Sequence, residues 1–193
     1  MYEQLLKHIS DKINLEPKDQ EVIKSFFTPK KLRKKQYLLQ EGNVCDFSAF
    51  VISGCLRSFT VDDKGSEHIM QFATENWWIN DMSSFLTGEP STFNIDALED
   101  TEMLILTREK QDLLFDKLPK FERYFRLLLQ NSFVSLHKRL LCEMSVTAED
   151  KYLNFLQRFP DLFQRVPQHM IASYLGLTPE TLSRIRKKLA EAR

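Results

Sequence analysis

The sequence predicts an α+β chain with N-terminal helices, a small β-roll or barrel, a long helix and a C-terminal helical hairpin. Three observations carry the prediction. Residues 1–27 place apolar side chains at helical spacing. Residues 28–106 switch to short apolar or alternating runs between turn residues. From Arg108 the helical period returns and persists.

A length of 193 residues suits one large domain or two small ones. With 42% hydrophobic and 28% charged residues, the composition excludes disordered and fibrous classes. No apolar run is long enough to span a bilayer. Met1-Tyr2-Glu3-Gln4 leads straight into a polar stretch with no signal-peptide apolar region. A cytoplasmic chain with no membrane partner is therefore expected. Cys45, Cys55 and Cys142, with His8, His68, His137 and His169, lack the spacing of a disulfide framework or a zinc site, so no metal is expected. No nucleophile–base set or glycine-rich phosphate loop points to an enzyme.

Leu5, Leu6, Ile9 and Ile13 mark a first helix, and Pro17 opens a second bearing Val22, Ile23, Phe26 and Phe27. Strands are expected at Tyr37–Leu39, Ala49–Ile52, Leu56–Val61, His68–Phe72 and Met103–Leu106, with Asp62-Asp63-Lys64-Gly65 as a hairpin turn. Nearly regular spacing of such strands is the pattern of a small barrel or roll. Arg108–Lys117 reads as a short helix, and Pro119 suits the first turn of a long one. Along that helix Leu118, Phe121, Phe125, Leu128, Ser132, Ser135 or Leu136, and Leu140 recur at threes and fours, and Leu129, Phe133 and Leu141 widen the apolar face. The stripe is too broad for a coiled-coil seam. It fits a helix packed on its own roll on one side and on a second copy on the other. Thr147, with Asp150 three residues on, caps a further helix that ends at Phe159-Pro160.

The most informative stretch is 166–189. A first helix runs from about Pro167 to Tyr174, and Leu175-Gly176-Leu177 forms the turn. Thr178 caps a second helix, with Pro179 at its first position. Leu182, Ile185 and Leu189 face inward, leaving Glu180, Thr181, Ser183, Arg184, Lys187 and Lys188 outward. A helix-turn-helix lays such a helix in the major groove with its N-terminal residues at base edges. Arginine can donate two bonds to guanine, a carboxylate can accept from cytosine, and lysines further along can neutralise phosphates. Net charge is zero overall, yet residues 164–193 hold six Lys/Arg against two Asp/Glu. A basic end on an acidic body suits an anionic partner. The expected DNA-contacting set is thus Gln168, Thr178, Glu180, Thr181, Ser183, Arg184, Lys187 and Lys188.

The run from Ile171 to Arg184 resembles the signature helix-turn-helix of the Crp-Fnr family. Leu38-Leu39-Gln40-Glu41-Gly42 and Phe50 to Arg57 resemble the first strands of that family's cyclic-nucleotide-binding roll. Ala97 to Glu102 resembles its late strands, and Val146-Thr147 falls at its hinge. The resemblance covers nearly the whole chain. It implies a double-stranded β-helix (a jelly-roll-like β-roll) with N-terminal helices over 1–107, a dimerisation helix over 108–145 and a DNA-binding domain over 146–193. It also implies a homodimer on a palindromic promoter site, with RNA polymerase as a further partner of activating members. Glu180, Ser183 and Arg184 match the residues by which Fnr-like members read their half-sites, which implies TTGA-like half-sites. Pro179 stands where the cyclic-AMP-responsive branch has arginine. The family usually follows this helix with a β-wing, and the sequence given ends at Arg193, so either the wing's contacts are absent or the C-terminus is trimmed.

In nucleotide-binding members a phosphate cassette offers Gly-Glu and then Arg-Ser. Here those places hold Asn80-Asp81 and Ser91-Thr92, the expected effector pocket. Asp81 can hold a hydroxyl, but no arginine faces the phosphate, and an unpaired buried anion costs several kcal/mol. Cyclic AMP is disfavoured, and an iron–sulfur cluster lacks its four cysteines. No cofactor is expected, and the small-molecule effector is unidentified. The competing reading is a nucleotide-binding-like module that regulates a partner protein, with the C-terminal hairpin as its contact surface.

Overall fold

The computed structural model describes residues 1–191; Arg193, counted in the basic end, and the chain terminus lie outside the described residues. Helix α1 (Tyr2–Ser10) is followed by α2 (Pro17–Phe26), β1 (Thr28–Leu32), β2 (Tyr37–Leu39), β3 (Phe47–Ser53), β4 (Leu56–Val61), β5 (Glu67–Ala73) and β6 (Trp78–Ile79). Then come α3 (Met82–Thr87), β7 (Asn94–Ala97), β8 (Thr101–Thr107), α4 (Arg108–Lys117) and α5 (Lys120–Ser145). The last elements are α6 (Ala148–Arg158), α7 (Leu162–Arg165), α8 (Gln168–Tyr174) and α9 (Pro179–Glu191). The α+β class and the roll are as the sequence predicts.

The strands form two four-stranded sheets, ordered β1-β8-β3-β6 and β2-β7-β4-β5. Their inner faces share a cluster that includes Leu38, Ala49, Val51, Leu56, Ile95, Ala97 and Met103. The period of two then sends Phe50, Ile52, Leu104 and Leu106 to the opposite face of the first sheet. There they pack on Leu5, Ile9, Ile23, Leu114, Phe121 and Tyr124 from the flanking helices. Helix α2 starts where Pro17 predicts, and a capping box between Glu16 and Asp19 closes its first turn. Asp19 also pairs with Lys120, which holds its carboxyl below the usual range. Strands β1 and β6 and helices α3 and α7 add to the expected elements. Ala97–Glu102, expected as late strand, is the end of β7, a turn and the start of β8.

At the helical side of the roll, Trp78 Nε1 donates to the Tyr124 hydroxyl (2.9 Å), which lies 2.8 Å from His8 Nδ1. Trp78 and His8 therefore pack the core, as ordinary aromatic residues do. Burial, then Lys12, pushes the His8 pKa from 6.5 to about 4. Because the folded pKa lies below the unfolded one, the stability it confers is complete above pH 6.5 and declines as pH falls to about 4. Discounted for its half-exposed ring, the loss is expected to be about 1–2 kcal/mol. Urea titrations at both ends of that window check it: the difference between wild type and His8→Gln must change with pH, and a constant difference refutes it.

By proximity the chain groups into two compact units, 1–59 with 72–131 and 60–71 with 132–193. The first contains most of the roll and the start of α5. The second holds the rest of α5, helices α6 to α9 and the outer end of the β4–β5 hairpin.

Candidate nucleic-acid interface

Within the second unit, α8 ends in a tight reversal. The Leu177 amide donates to the Ala172 carbonyl (2.9 Å) and that of Gly176 to Ser173 (3.1 Å). This is a Schellman pattern. Gly176 sits at φ +66°, in the left-handed region where a side chain is strained. The Thr178 hydroxyl accepts from the Thr181 amide (3.2 Å), capping α9. Leu182 and Ile185 are buried, so the helix is fixed by one face.

The opposite face carries Glu180, Ser183, Arg184, Lys187 and Lys188, all exposed. Thr178 and Gln168 are also exposed, and Thr181 is half-buried. Arg184 reaches back to the Thr181 hydroxyl (3.4 Å). Glu180 titrates below the usual carboxylate range, because its own backbone amide, the Thr178 hydroxyl and Arg184 favour the charged form. The face therefore presents an anion at the helix start, an arginine one turn on and lysines beyond. Lys188 is also held by Glu149 of α6 at 2.6 Å, and Lys187 lies 3.9 Å from Glu191.

The structure adds contacts that periodicity alone leaves hidden. Ser173 Oγ donates to the Glu67 carbonyl (2.9 Å) and accepts from the Ile69 amide (3.0 Å), docking the hairpin end onto α8. Arg139 donates to the carbonyls of Met70 and Tyr174 and lies over the Tyr174 ring, 4.4 Å from its centroid. His68 pairs with Asp62 in the same hairpin end at 3.0 Å. On the distal half of α5, Phe133 (66% exposed), Leu136 (58%), Leu140 (55%) and Met144 (86%) form a row at threes and fours.

The expected effector residues lie in the first unit. Asp81 caps α3 by accepting from the Ser84 amide (3.1 Å), and its other oxygen accepts from the Ser91 hydroxyl (2.8 Å). Asn80 donates to Ser48 Oγ (3.0 Å), and Thr92 is exposed. Asp81 and Ser91 thus meet, as expected of one pocket, but they hold the loop together. A group missed by sequence reading is Arg57 on β4, which grips Asp96 on β7 through two bonds of 2.8 and 3.1 Å. Both are buried, and Arg57 lies 4.0 Å from the Phe59 ring centroid.

Residues 29–117 match the cyclic nucleotide-binding domain family. The transcriptional activator protein Anr of Pseudomonas aeruginosa is 26% identical over 165 residues, covering 80% of this chain and 67% of that protein. The fumarate and nitrate reduction regulatory protein of Vibrio cholerae is 26% identical, over 81% of this chain and 66% of that protein. By these matches the chain is similar to transcriptional regulators of the Crp-Fnr type. The chain spans about two thirds of the length of these two relatives. Its fold matches FixK2 from Bradyrhizobium japonicum at a TM-score of 0.74 and 19% identity, over 86% of this chain and 85% of that one. It also matches the Thermus thermophilus catabolite activator protein at a TM-score of 0.60 and 23% identity, over 96% of this chain and 87% of that one. No helix among the described residues is long and apolar enough to cross a membrane.

Proposed function

We propose that the chain acts as a homodimeric transcription switch, and not as a catalyst, whose α9 helices enter successive major grooves of a palindromic promoter site. The observation that carries this reading is the outward face of α9: Glu180, Ser183 and Arg184 stand exposed on a helix fixed by Leu182 and Ile185. Arg184 reads guanine and Glu180 accepts from a base amino group, giving TTGA-like half-sites. Gln168, Thr178, Thr181, Lys187 and Lys188 contact the backbone and set the register. The exposed row on α5 pairs the two copies. In this division of labour residues 1–107 sense, 108–145 dimerise and 146–193 read DNA. RNA polymerase is the further partner at activated promoters, and the cytoplasm is the site of action.

The loop bearing Asn80, Asp81, Ser91 and Thr92 occupies the place of the phosphate cassette without its arginine. A small-molecule effector other than cyclic AMP acts on the roll.

A binding selection from random duplexes with purified protein, at a stated salt concentration, tests the reading. Arg184→Ala is expected to relax preference at one position per half-site and to cost about 1–3 kcal/mol there. Wild type returning a non-palindromic site, or an unchanged preference in the variant, overturns the docking.

A further inference from the structure

We propose that, in the dimeric DNA-binding reading above on which this rests, Arg139 sets the distance between the two α9 helices and so determines which spacing of half-sites the protein accepts. Arg139 lies in the distal half of α5, the helix whose exposed row pairs the copies in that reading. With about 3.6 residues per turn, it stands on a different flank from Phe133, Leu140 and Met144. From that flank its guanidinium reaches two further elements. It donates to the Met70 carbonyl of β5 and, at 3.2 Å, to the Tyr174 carbonyl that ends α8. Its carbon also lies over the Tyr174 ring, 4.4 Å from the centroid.

Along the chain, the route from α5 to α8 passes three junctions, after Ser145, Arg158 and Arg165. Each junction adds soft backbone dihedrals, so the chain alone would let α8 and α9 swing. The bond from Arg139 to Tyr174 spans 35 positions, closes that loop and removes the freedom. Other bonds brace the same frame. Ser173 joins α8 to the Glu67 carbonyl and Ile69 amide of β5, an edge strand with main-chain groups open to such a bond. Ser135, four residues before Arg139 on the same flank, accepts from Arg158 of α6 at 2.8 Å. Lys188 of α9 meets Glu149 of α6 at 2.6 Å. All of these residues belong to the second unit.

Spacing follows from the frame. Half-sites one helical turn apart lie about 10–10.5 base pairs centre to centre. One extra base pair shifts a half-site by about 3.4 Å and rotates it by about 35°. A pair of α9 helices held at one distance cannot follow both changes, whereas a loosely hung pair can. Arginine fits this task because its planar fork aims donors at two carbonyls while its face stacks on a ring. A lysine supplies the charge as a single point, without the fork or the stack. Arg139 is thus a positioning residue, which acts on DNA through α8 and α9.

The test measures binding of the full chain to duplexes built from the half-site that the selection returns. They carry it twice at the selected spacing, twice with one or two base pairs added or removed, or once. Wild type should lose about 100-fold or more at a wrong spacing, where one half-site alone is engaged. Arg139→Gln should flatten that loss to about ten-fold or less, stay dimeric in sedimentation and bind the lone half-site as wild type does. Arg139→Lys, the milder change, should behave in the same way, and Ser173→Ala should flatten the loss in the same direction. The proposal is overturned if Arg139→Gln keeps the wild-type spacing preference, or if lone and paired half-sites weaken together. Restoration by lysine, with a salt slope that falls by about 0.9 per copy in Arg139→Gln, also overturns it, because Arg139 would then be a phosphate contact. A wild type indifferent to spacing refutes the dimeric reading itself, and the proposal with it.

Discussion

Replacing Arg57 with methionine is expected to destabilise the roll by about 3–5 kcal/mol, because Asp96 is left as a buried charge without its partner. Arg57 and Asp96 are 6% and 7% exposed and stand directly opposite in the β4–β7 register. Their alternation puts them on the face opposite Leu56 and Ala97, which belong to the inter-sheet core. The cost of desolvating the two charges is offset by the paired bonds, and removing one partner exposes that cost. Adding Asp96→Leu should restore most of the loss, since an apolar pair of similar volume removes both charges together. Urea denaturation of the single and double variants decides it. A single variant within about 1 kcal/mol of wild type would show that Asp96 finds another partner.

The second large effect concerns α5. Phe133→Glu with Leu136→Glu places two carboxylates in the exposed apolar row, where like charges of two copies would face each other. The variant should sediment as a monomer with a nearly unchanged melting profile, because both side chains are exposed and Phe133 meets the exposed ring of His137 at 5.6 Å. Affinity for a two-half-site duplex should fall about 100- to 10,000-fold, the gain that a second tethered site normally confers. Affinity for a single half-site should be untouched. A variant that stays dimeric would move the interface off this row.

The parts of this molecule that follow from neighbouring residues were legible in the sequence. Thr178, Pro179 and Gly176 act within one or two turns of their own position, so the borders of α8 and α9 follow from local chemistry. The same holds for Thr147 before α6, whose hydroxyl accepts from the Asp150 amide at 3.2 Å. Strand β1 was illegible because Thr28–Leu32 buries only Leu32, leaving no alternation to detect. Strand β6 has two residues, too few for any period.

The candidate site divides in the same way. The outward face of α9 is a property of one helix and follows from its period at Glu180, Ser183, Arg184, Lys187 and Lys188, whereas Thr181, expected outward, is half-buried. The docking of Ser173 on Glu67 and Ile69, and the grip of Arg57 on Asp96, join residues about a hundred and about forty positions apart. No local pattern encodes them. Asp81 illustrates the converse error of emphasis. Its carboxylate looks like a ligand-holding group in sequence, while its geometry is that of a helix cap bonded to Ser84 and Ser91.

Ser173 hydrogen-bonds the hairpin through a carbonyl and an amide of the main chain. A clasp of that kind is blind to side-chain identity at its target. Glu67 can therefore vary with no change in what Ser173 meets, while Ile69 is constrained by its own burial, and position 173 calls for a short side chain with a hydroxyl. Mutational drift should accordingly accumulate at position 67 and stall at the serine, so that a library randomised at both places would return many solutions for one partner and very few for the other.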